Sequence, residues 1–321
     1  MLIKFLLFIT APLCAETYDA VIVGGGAAGL TAGLYTSRLG LKTLVAEGDL
    51  PGGQLTTTHL VENFPGFPEG VLGPELIDNM RKQALRYGAQ IRTNNVKRID
   101  FTNYPYTVEF TKGDLLKAKS VIIATGSSPR LLGLPSESAL FGKGVSTCAV
   151  CDAPLYQDKI AVVVGGGDSA FEEALMLSKF AKKVIVVHRS DQFKASNVLK
   201  NRIEKTKNIE IKTFKTVQEI LDPQKDDVEA IIVTDTRTGK NEKITCDGVF
   251  IAIGQIPNTS WLANDIELDE RGLILSMPPG VFAAGDVIDH VYRQAIAAAG
   301  AGCMAALDAY QFLQSKEGED Q

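Results

Sequence analysis

The chain is poor in the residues that build metal centres and disulfide frameworks. It has 5 cysteines and 3 histidines in 321 residues, and only Cys148 and Cys151 lie close together in the sequence. A structural zinc site needs four ligands, and the sequence has neither a second Cys-x-x-Cys nor a close pair of histidines. The composition therefore argues against a disulfide scaffold and against a bound metal.

An excess of basic charge is also missing. The 33 Lys and Arg side chains are outnumbered by 38 Asp and Glu, which gives a net charge of -5. Proteins that bind nucleic acid usually carry an excess of positive charge, so nucleic acid is not an expected partner. The 45% of hydrophobic and 22% of charged residues are near globular averages, which excludes a disordered or multi-span membrane chain. At about 150 residues per domain, the length indicates two domains.

Long apolar runs are missing as well. Near the N-terminus, Lys4 precedes the short run Phe5–Ile9, and residues 1–15 have the outline of a secretory signal. The run is too short to cross a bilayer, so no stable membrane association is expected. Residues 1–15 are either such a signal or an extension ahead of the first strand.

Glycine, in contrast, is abundant and clustered. Val21–Gly26 and Val162–Gly167 are the same apolar strand running into the same glycine turn. Each turn opens a segment of helical period, at 27–39 and 168–180, and a second apolar strand follows at 42–47 and 183–188. This repeat predicts an α/β fold with two Rossmann-like dinucleotide-binding domains.

Two later apolar runs, Val121–Gly126 and Val249–Gly254, predict the strands that close each domain. After the second run the chain still contains the stretch Val281–Asp286 and an alanine-rich helix at 294–313. We expect this tail to return to the first domain, so that the second domain is an insertion. The predicted bounds are 16–130 and 258–321 for the first domain and 131–257 for the second.

The first glycine turn has the pattern Gly24-x-Gly26-x-x-Gly29. In this pattern the glycines allow a tight turn, a close approach to a pyrophosphate, and close packing of helix on strand. Glu47 ends the next strand, where a carboxylate accepts hydrogen bonds from the hydroxyls of a ribose without a phosphate. The turn therefore predicts a dinucleotide site.

The second turn repeats the pattern with alanine as its third member. At the position that corresponds to Glu47 of the first domain, the second domain has basic residues instead of an acid. The residues concerned are Gly165, Gly167, Ala170, His188, Arg189 and Lys194. Cations in place of the carboxylate remove the ribose acceptor and favour a 2′-phosphate, which is the distinction between NADP and NAD. The alternative is a solvated basic turn.

Cys148-x-x-Cys151 lies just before the second nucleotide-binding strand. A pair at this spacing can open and close a disulfide, and its thiols often have a low pKa. The alternative, a structural disulfide, would constrain the unfolded chain little because the loop is short. Asp152 follows directly; it is a candidate for proton exchange with a thiol, or a helix N-cap.

Together these motifs resemble the low-molecular-weight thioredoxin reductases from about Tyr18 to Leu313. Further matching segments are Gly52–Thr58, Glu62–Gly66, Cys148–Asp152, Gly165–Ala170, Phe282–Asp286 and Tyr292–Ala295. The resemblance implies FAD on the first domain and NADPH on the second. For FAD it implies Gly24, Gly25, Gly26, Ala27, Ala28, Gly29, Glu47, Gln54, Asn63, Val96, Asp286, Arg293, Gln294 and Ala295. For NADPH it implies Gly165, Gly167, Asp168, Ser169, Ala170, His188, Arg189 and Lys194.

The resemblance also implies roles for the cysteines. Cys151 would face the flavin, Cys148 would attack the disulfide of thioredoxin or a thioredoxin-like protein, and Asp152 would supply a proton. It further implies a homodimer, a domain movement about hinges near 130–135 and 254–257, and work in the cytoplasm, where NADPH is supplied. If residues 1–15 are a signal, export to the secretory pathway or periplasm is the alternative.

The chain departs from the resemblance where relatives that use NADPH carry further arginines. Ser190 and Lys194 stand there, which predicts weaker discrimination against NADH, by about 1–2 kcal/mol for each missing charged contact. Two alternative functions follow. The same fold can act as a dithiol oxidase or as a reductase with another electron donor, or the chain can be a flavin redox sensor.

Overall fold

A computed structural model describes residues 16–58, 60–61, 63–262 and 265–319, so the predicted signal at 1–15 lies outside the described residues. By packing, the chain forms two compact units. Among the described residues, the first contains 16–53, Asn79–Gly126 and 259–319, and the second contains Gln54–Asp78 and Ser127–Asn258. The second unit is inserted into the first.

Helices and strands alternate through most of the described chain. The α-helices are α1 Ala27–Arg38, α2 Gly73–Arg86, α3 Pro135–Leu140, α4 Ala149–Asp152, α5 Asp168–Leu177, α6 Asn197–Lys205 and α7 Ala295–Glu319. The strands are β1 Thr17–Val23, β2 Thr43–Ala46, β3 Leu60–Val61, β4 Val71–Leu72, β5 Gln90–Arg92, β6 Val96–Asp100, β7 Tyr106–Phe110, β8 Leu115–Ile123, β9 Ser127–Pro129, β10 Val145–Ser146, β11 Ile160–Val164, β12 Lys183–Val187, β13 Ile209–Lys212, β14 Lys215–Leu221, β15 Ala230–Asp235, β16 Asn241–Thr245, β17 Gly248–Ile251, β18 Gln255–Pro257, β19 Glu267–Leu268, β20 Ile274–Ser276 and β21 Val281–Ala283.

The first unit is built on a seven-stranded sheet. Its order is β5-β2-β1-β8-β7-β6, and β21 pairs with β8. Strands β5, β2, β1, β8 and β21 pair with one another in parallel. Strand β7 pairs antiparallel with both β6 and β8. The centre of β1 and β8 is buried on both faces, which explains why these strands read as continuous apolar runs in the sequence.

Helix α7 completes the first unit by packing against α1 and β21. A Cβ at Gly302 would overlap the backbone of Ala28, so glycine is needed for this close approach of two helices. By length and composition alone, Ala295–Lys316 is also apolar enough to cross a membrane, a property that core helices of soluble proteins share. In the structure its alanine face, including Ala305, Ala306 and Ala309, belongs to the core.

The second unit repeats the plan on a smaller scale. Its five-stranded sheet has the order β10-β17-β11-β12-β13, and all its pairs are parallel. Apolar clusters cover both faces of this sheet. An antiparallel sheet of β14, β15 and β16 is added to it. Two Rossmann-like units with the second inserted in the first confirm the predicted fold class.

Residues 54–78 pack with the second unit, although the sequence analysis places them in the first domain. The reason is local, because the short hairpin of β3 and β4 lies here and β3 contacts α4. The unit changes again between Gly126 and Ser127 and between Asn258 and Thr259. Domain bounds defined by the cofactor that each domain binds stay a prediction.

Candidate active site

The first glycine turn joins β1 to α1 and leaves open space above it. Gly24 has φ +115°, and a Cβ there would overlap the carbonyl of Ala124. A Cβ at Gly29 would overlap the backbone of Gly24, so the helix lies close to the strand. At Gly26, which caps α1, the nearest atom to a Cβ is 3.9 Å away. The protein does not fill this space, as a pyrophosphate site requires.

Glu47 follows β2 and is 4% exposed. Its Oε2 accepts a hydrogen bond of 2.6 Å from Arg81, and within the described chain its buried Oε1 has no partner. Burial raises the pKa of Glu47, and the Arg81 guanidinium opposes that shift. An orphaned buried oxygen beside the turn fits the hydroxyl of a ribose, so Glu47 has the geometry that FAD needs.

The segment after β21 lies beside the same turn. Gly285 has φ +78°, and a Cβ there would be 3.1 Å from the Cβ of Ala28. Asp286 therefore lies next to the start of α1. Arg293 has φ +48°, and no described residue hydrogen-bonds its buried Nε. A second orphaned polar atom in the first unit again fits a bound cofactor.

Asp289 holds this loop in place, a role that the sequence analysis missed. Its Oδ1 accepts the N–H groups of Val291 and Tyr292 at 2.8 and 2.9 Å, and its Oδ2 accepts that of Arg293 at 2.9 Å. Burial opposes ionisation, but these hydrogen bonds prevail and lower the pKa of Asp289. Gln294 donates to the carbonyl of Tyr292, and Ala295 then begins α7.

The other predicted FAD residues are distributed between the units. Ala27 and Ala28 are buried in the first turn of α1, and Val96 begins β6 in the first unit. Gln54 and Asn63 belong by packing to the second unit, where the Gln54 Nε2 donates to the carbonyl of Ser127 at 2.5 Å.

The second glycine turn joins β11 to α5 and has the same shape. Gly165 has φ +154°, and a Cβ there would overlap the carbonyl of Ala252. Ala170 is fully buried against this turn, which leaves no room for a larger third member. A Cβ at Gly167 has open space around it, as at Gly26. Asp168 begins α5 and accepts the N–H of Ser196, and Ser169 is exposed beside it.

The predicted phosphate-binding cations lie at the end of β12, next to this turn. Lys194 donates its backbone N–H to the carbonyl of Gly166 at 2.9 Å, while its side chain and that of Arg189 are exposed. Burial lowers the pKa of His188, whose Nε2 is 3.2 Å from the carbonyl oxygen of Gln192. The positive charge near neutral pH therefore comes from Arg189 and Lys194.

Cys148 and Cys151 form a disulfide with a Cα–Cα distance of 5.4 Å. Cys148 caps α4, and its Sγ accepts the N–H of Cys151 at 3.2 Å. The N–H of Cys148 donates to Ser146 Oγ, which fixes the cap residue. Both cysteines and Asp152, the last residue of α4, are half-buried. A hydrogen bond to sulfur stabilises its thiolate form.

Residues 18–302 match the family described as pyridine nucleotide-disulphide oxidoreductase. The chain belongs to this family. Its enzyme class is therefore that of an oxidoreductase, and FAD and NADPH are its cofactors, as the sequence predicts.

Individual relatives match nearly the whole chain. A thioredoxin reductase of Streptomyces clavuligerus is 45% identical over 315 residues, which cover 96% of this chain and 97% of the relative. The structure of thioredoxin reductase from Giardia duodenalis has a TM-score of 0.84 at 39% identity and covers 93% of this chain and 99% of its own. Thioredoxin reductase from Streptococcus pyogenes MGAS5005 also has a TM-score of 0.84, at 36% identity, with coverage of 94% and 99%.

Proposed function

We propose that the protein reduces the disulfide of thioredoxin or a thioredoxin-like protein with NADPH, through FAD and the Cys148–Cys151 disulfide. The observation that carries this proposal is the half-exposed disulfide, which is closed across one helical turn in the unit that holds the second nucleotide turn. Relatives named thioredoxin reductase support it because they match over nearly their full length.

The residues of the chain divide the work between them. When bound, FAD would relay the electron pair of NADPH to the disulfide. Reduction breaks the S–S bond, and the two sulfurs then carry two electrons and up to two protons. The thiolate of Cys148, stabilised by the N–H of Cys151, attacks one sulfur of the partner's disulfide and forms a mixed disulfide.

Release of the partner completes the exchange. Cys151 attacks Cys148 Sγ in the mixed disulfide, which restores the internal disulfide and leaves the partner as a dithiol. The departing partner sulfur needs a proton, and we assign its supply to Asp152, the last residue of α4. In sum, NADPH, a proton and a protein disulfide give NADP⁺ and a dithiol.

The first experiment is an anaerobic titration of the purified flavoprotein. We expect NADPH to bleach the flavin and oxidised thioredoxin to restore its colour. Bleaching without recovery on adding thioredoxin would contradict a thioredoxin disulfide as the electron acceptor. The absence of bleaching by either NADPH or NADH would remove the second turn as a reductant site and favour another donor or a sensor.

The Arg189→Ala variant tests the phosphate assignment. Loss of one charge-assisted hydrogen bond to the 2′-phosphate, worth about 1.5–3 kcal/mol, should raise KM for NADPH at least about tenfold. KM for NADH, which lacks that phosphate, should change by less than about twofold. Steady-state kinetics with both nucleotides measures the difference.

Lys182 provides the matched control, because it is exposed and lies just before β12, at the opposite end of the strand from Arg189. The Lys182→Ala variant should keep both KM values. An equal rise in both KM values for Arg189→Ala would contradict the phosphate assignment.

We also propose that two copies of the chain associate through α7. Its outward face carries Ile296, Met304 and Leu307, which are 45%, 62% and 41% exposed and lie at helical spacing. An apolar stripe of this kind is typical of a surface that a second copy covers. Light scattering of the purified protein tests the proposal, with twice the chain mass of 34.5 kDa as the expected result.

For the location of the protein we propose the cytoplasm, because the reaction consumes NADPH. Within the described residues, Cys246 and Cys303 are free thiols, which is typical of a reducing compartment. Mass spectrometry of the protein from its own cells tests this proposal, since cleavage near residue 15 would demonstrate export instead.

A further inference from the structure

A buried carboxyl group with no assigned role lies beneath the redox-active disulfide. Glu173 is on α5, which packs against α4, the helix that begins at the disulfide. Its carboxyl accepts the N–H of Ala149, the residue that follows Cys148. Glu173 is thus hydrogen-bonded to the backbone between the two cysteines.

The second oxygen of this carboxyl has no hydrogen-bond partner. Glu173 Oε2 is fully enclosed, and no donor reaches it from the described part of the chain. A carboxylate anion with one bare oxygen in an apolar core is costly, whereas a neutral carboxyl tolerates this environment far better. The surrounding cluster is apolar and includes Ala149, Ala153 and Phe171.

The charged groups that act on Glu173 are both acidic. They are Asp152 on α4 and Glu172 on its own helix. Burial is the main cause that raises the pKa of Glu173 to about 8; the hydrogen bond from Ala149 lowers it, and the two acids raise it.

The other elements that pack against α5 contribute the remaining titratable groups. The 3-10 turn after α4 contributes Tyr156, whose pKa is raised chiefly by burial, and β11 consists of apolar residues alone. From α6, the residues in the shared core are Leu199 and Ile203. The charged side chains on α6 and β12 are Lys183, Lys200, Arg202, Glu204 and Lys205.

We propose that Glu173 is a positioning residue that holds a proton: its neutral carboxyl anchors the first N–H of α4 and adds no negative charge next to the disulfide. A negative charge on Glu173 would oppose the thiolate that forms when the disulfide opens, because like charges destabilise one another at short range. Its neutrality therefore favours the reactive form of the pair. The proposal rests on the proposed function for its biological meaning.

The test uses neither nucleotide nor thioredoxin, so its failure is distinct from failure of the proposed function. Excess dithiothreitol opens the disulfide and is itself oxidised to its cyclic disulfide. Iodoacetamide then alkylates the thiolates, and mass spectrometry follows the peptide that contains Cys148 and Cys151. The rate is measured from about pH 6 to about pH 10, a range that brackets the thiol and the buried carboxyl.

Three variants divide the proposal into parts. Glu173→Gln is neutral at every pH and keeps an acceptor for Ala149, so its rate profile should coincide with that of the wild type below about pH 7 and exceed it above about pH 8, where Glu173 ionises. Glu173→Leu removes the acceptor and should lower the apparent Tm by about 3 °C or more, whereas Glu173→Gln should not. Glu204→Gln, an exposed change on α6, should match the wild type in both measurements.

The pH dependence of stability supplies a second readout. Because the folded protein holds a proton that the unfolded chain releases, wild-type stability should fall between about pH 5 and about pH 8. The Tm advantage of Glu173→Gln over the wild type should therefore grow across that range. Rate profiles that already differ at about pH 6, or a constant Tm difference, would overturn the proton assignment, and profiles superimposed up to about pH 10 would overturn the effect of a Glu173 charge on the thiolate. A Tm for Glu173→Gln as low as that for Glu173→Leu would overturn the anchoring by a neutral group.

Discussion

In the Cys148→Ser variant, thioredoxin reduction should fall by at least about a thousandfold, while NADPH still bleaches the flavin. Serine cannot form the mixed disulfide, but the nucleotide turns at Gly24 and Gly165 are untouched by the change. Stopped-flow absorbance follows the flavin, and reduction of thioredoxin is measured in the same samples by its free thiols. The two readouts separate the attack on the partner from the earlier electron transfer.

Cys303 on α7 provides the control, since it is the half-buried free cysteine of the described chain. The Cys303→Ser variant should retain both flavin bleaching and thioredoxin reduction. Full reduction of thioredoxin by Cys148→Ser would remove the nucleophile assigned here. Loss of flavin bleaching in that variant would indicate damage to the fold rather than to the exchange step.

Alanine at Gly24 should destabilise the fold, whereas alanine at Gly26 should not. In Gly24→Ala, the added Cβ overlaps the carbonyl of Ala124, and alanine is strained at φ +115°. The variant should therefore lose about 2–6 kcal/mol of folding free energy and should be purified without bound flavin. Gly26→Ala meets only ordinary contact at 3.9 Å and should fold normally. Its methyl group nevertheless enters the space for a pyrophosphate, which should weaken FAD binding at least about tenfold.

The flavin content of the purified variants and the apparent Tm of their FAD-free forms measure these two effects. Gly318→Ala, near the end of α7 and with open space for a Cβ, should leave both unchanged. Normal flavin content in Gly26→Ala would mean that the pyrophosphate lies elsewhere.

Local patterns in the sequence carry most of the fold and much of the site. Both glycine turns and the strands around them are predictable because their geometry depends on residues a few positions apart. Glu47 is predictable for the same reason, since it ends the strand after the first turn. The cysteine pair is also contained within a single turn of helix.

Arg81 could not be found in this way, because its contact with Glu47 joins a helix to a strand end 34 residues away. The role of Asp289 could have been predicted from the sequence, because an aspartate often accepts backbone N–H groups from residues two to four positions later and so caps a loop. Tertiary packing alone determines that the segment 54–78 groups with the second unit. The same applies to α7, which extends to Glu319 beyond the predicted residue 313.

During translation, residues 127–258 are synthesised before β21 and α7. The second unit can therefore form its parallel sheet while the first still lacks the strand beside β8 and the helix against α1. A chain truncated near residue 260 would contain every strand of the second unit's parallel sheet, while β8 in the first unit would lack its partner β21 and leave an open sheet edge. FAD can help to close that edge only after synthesis ends, which makes flavin supply a determinant of how much newly made chain reaches the native state.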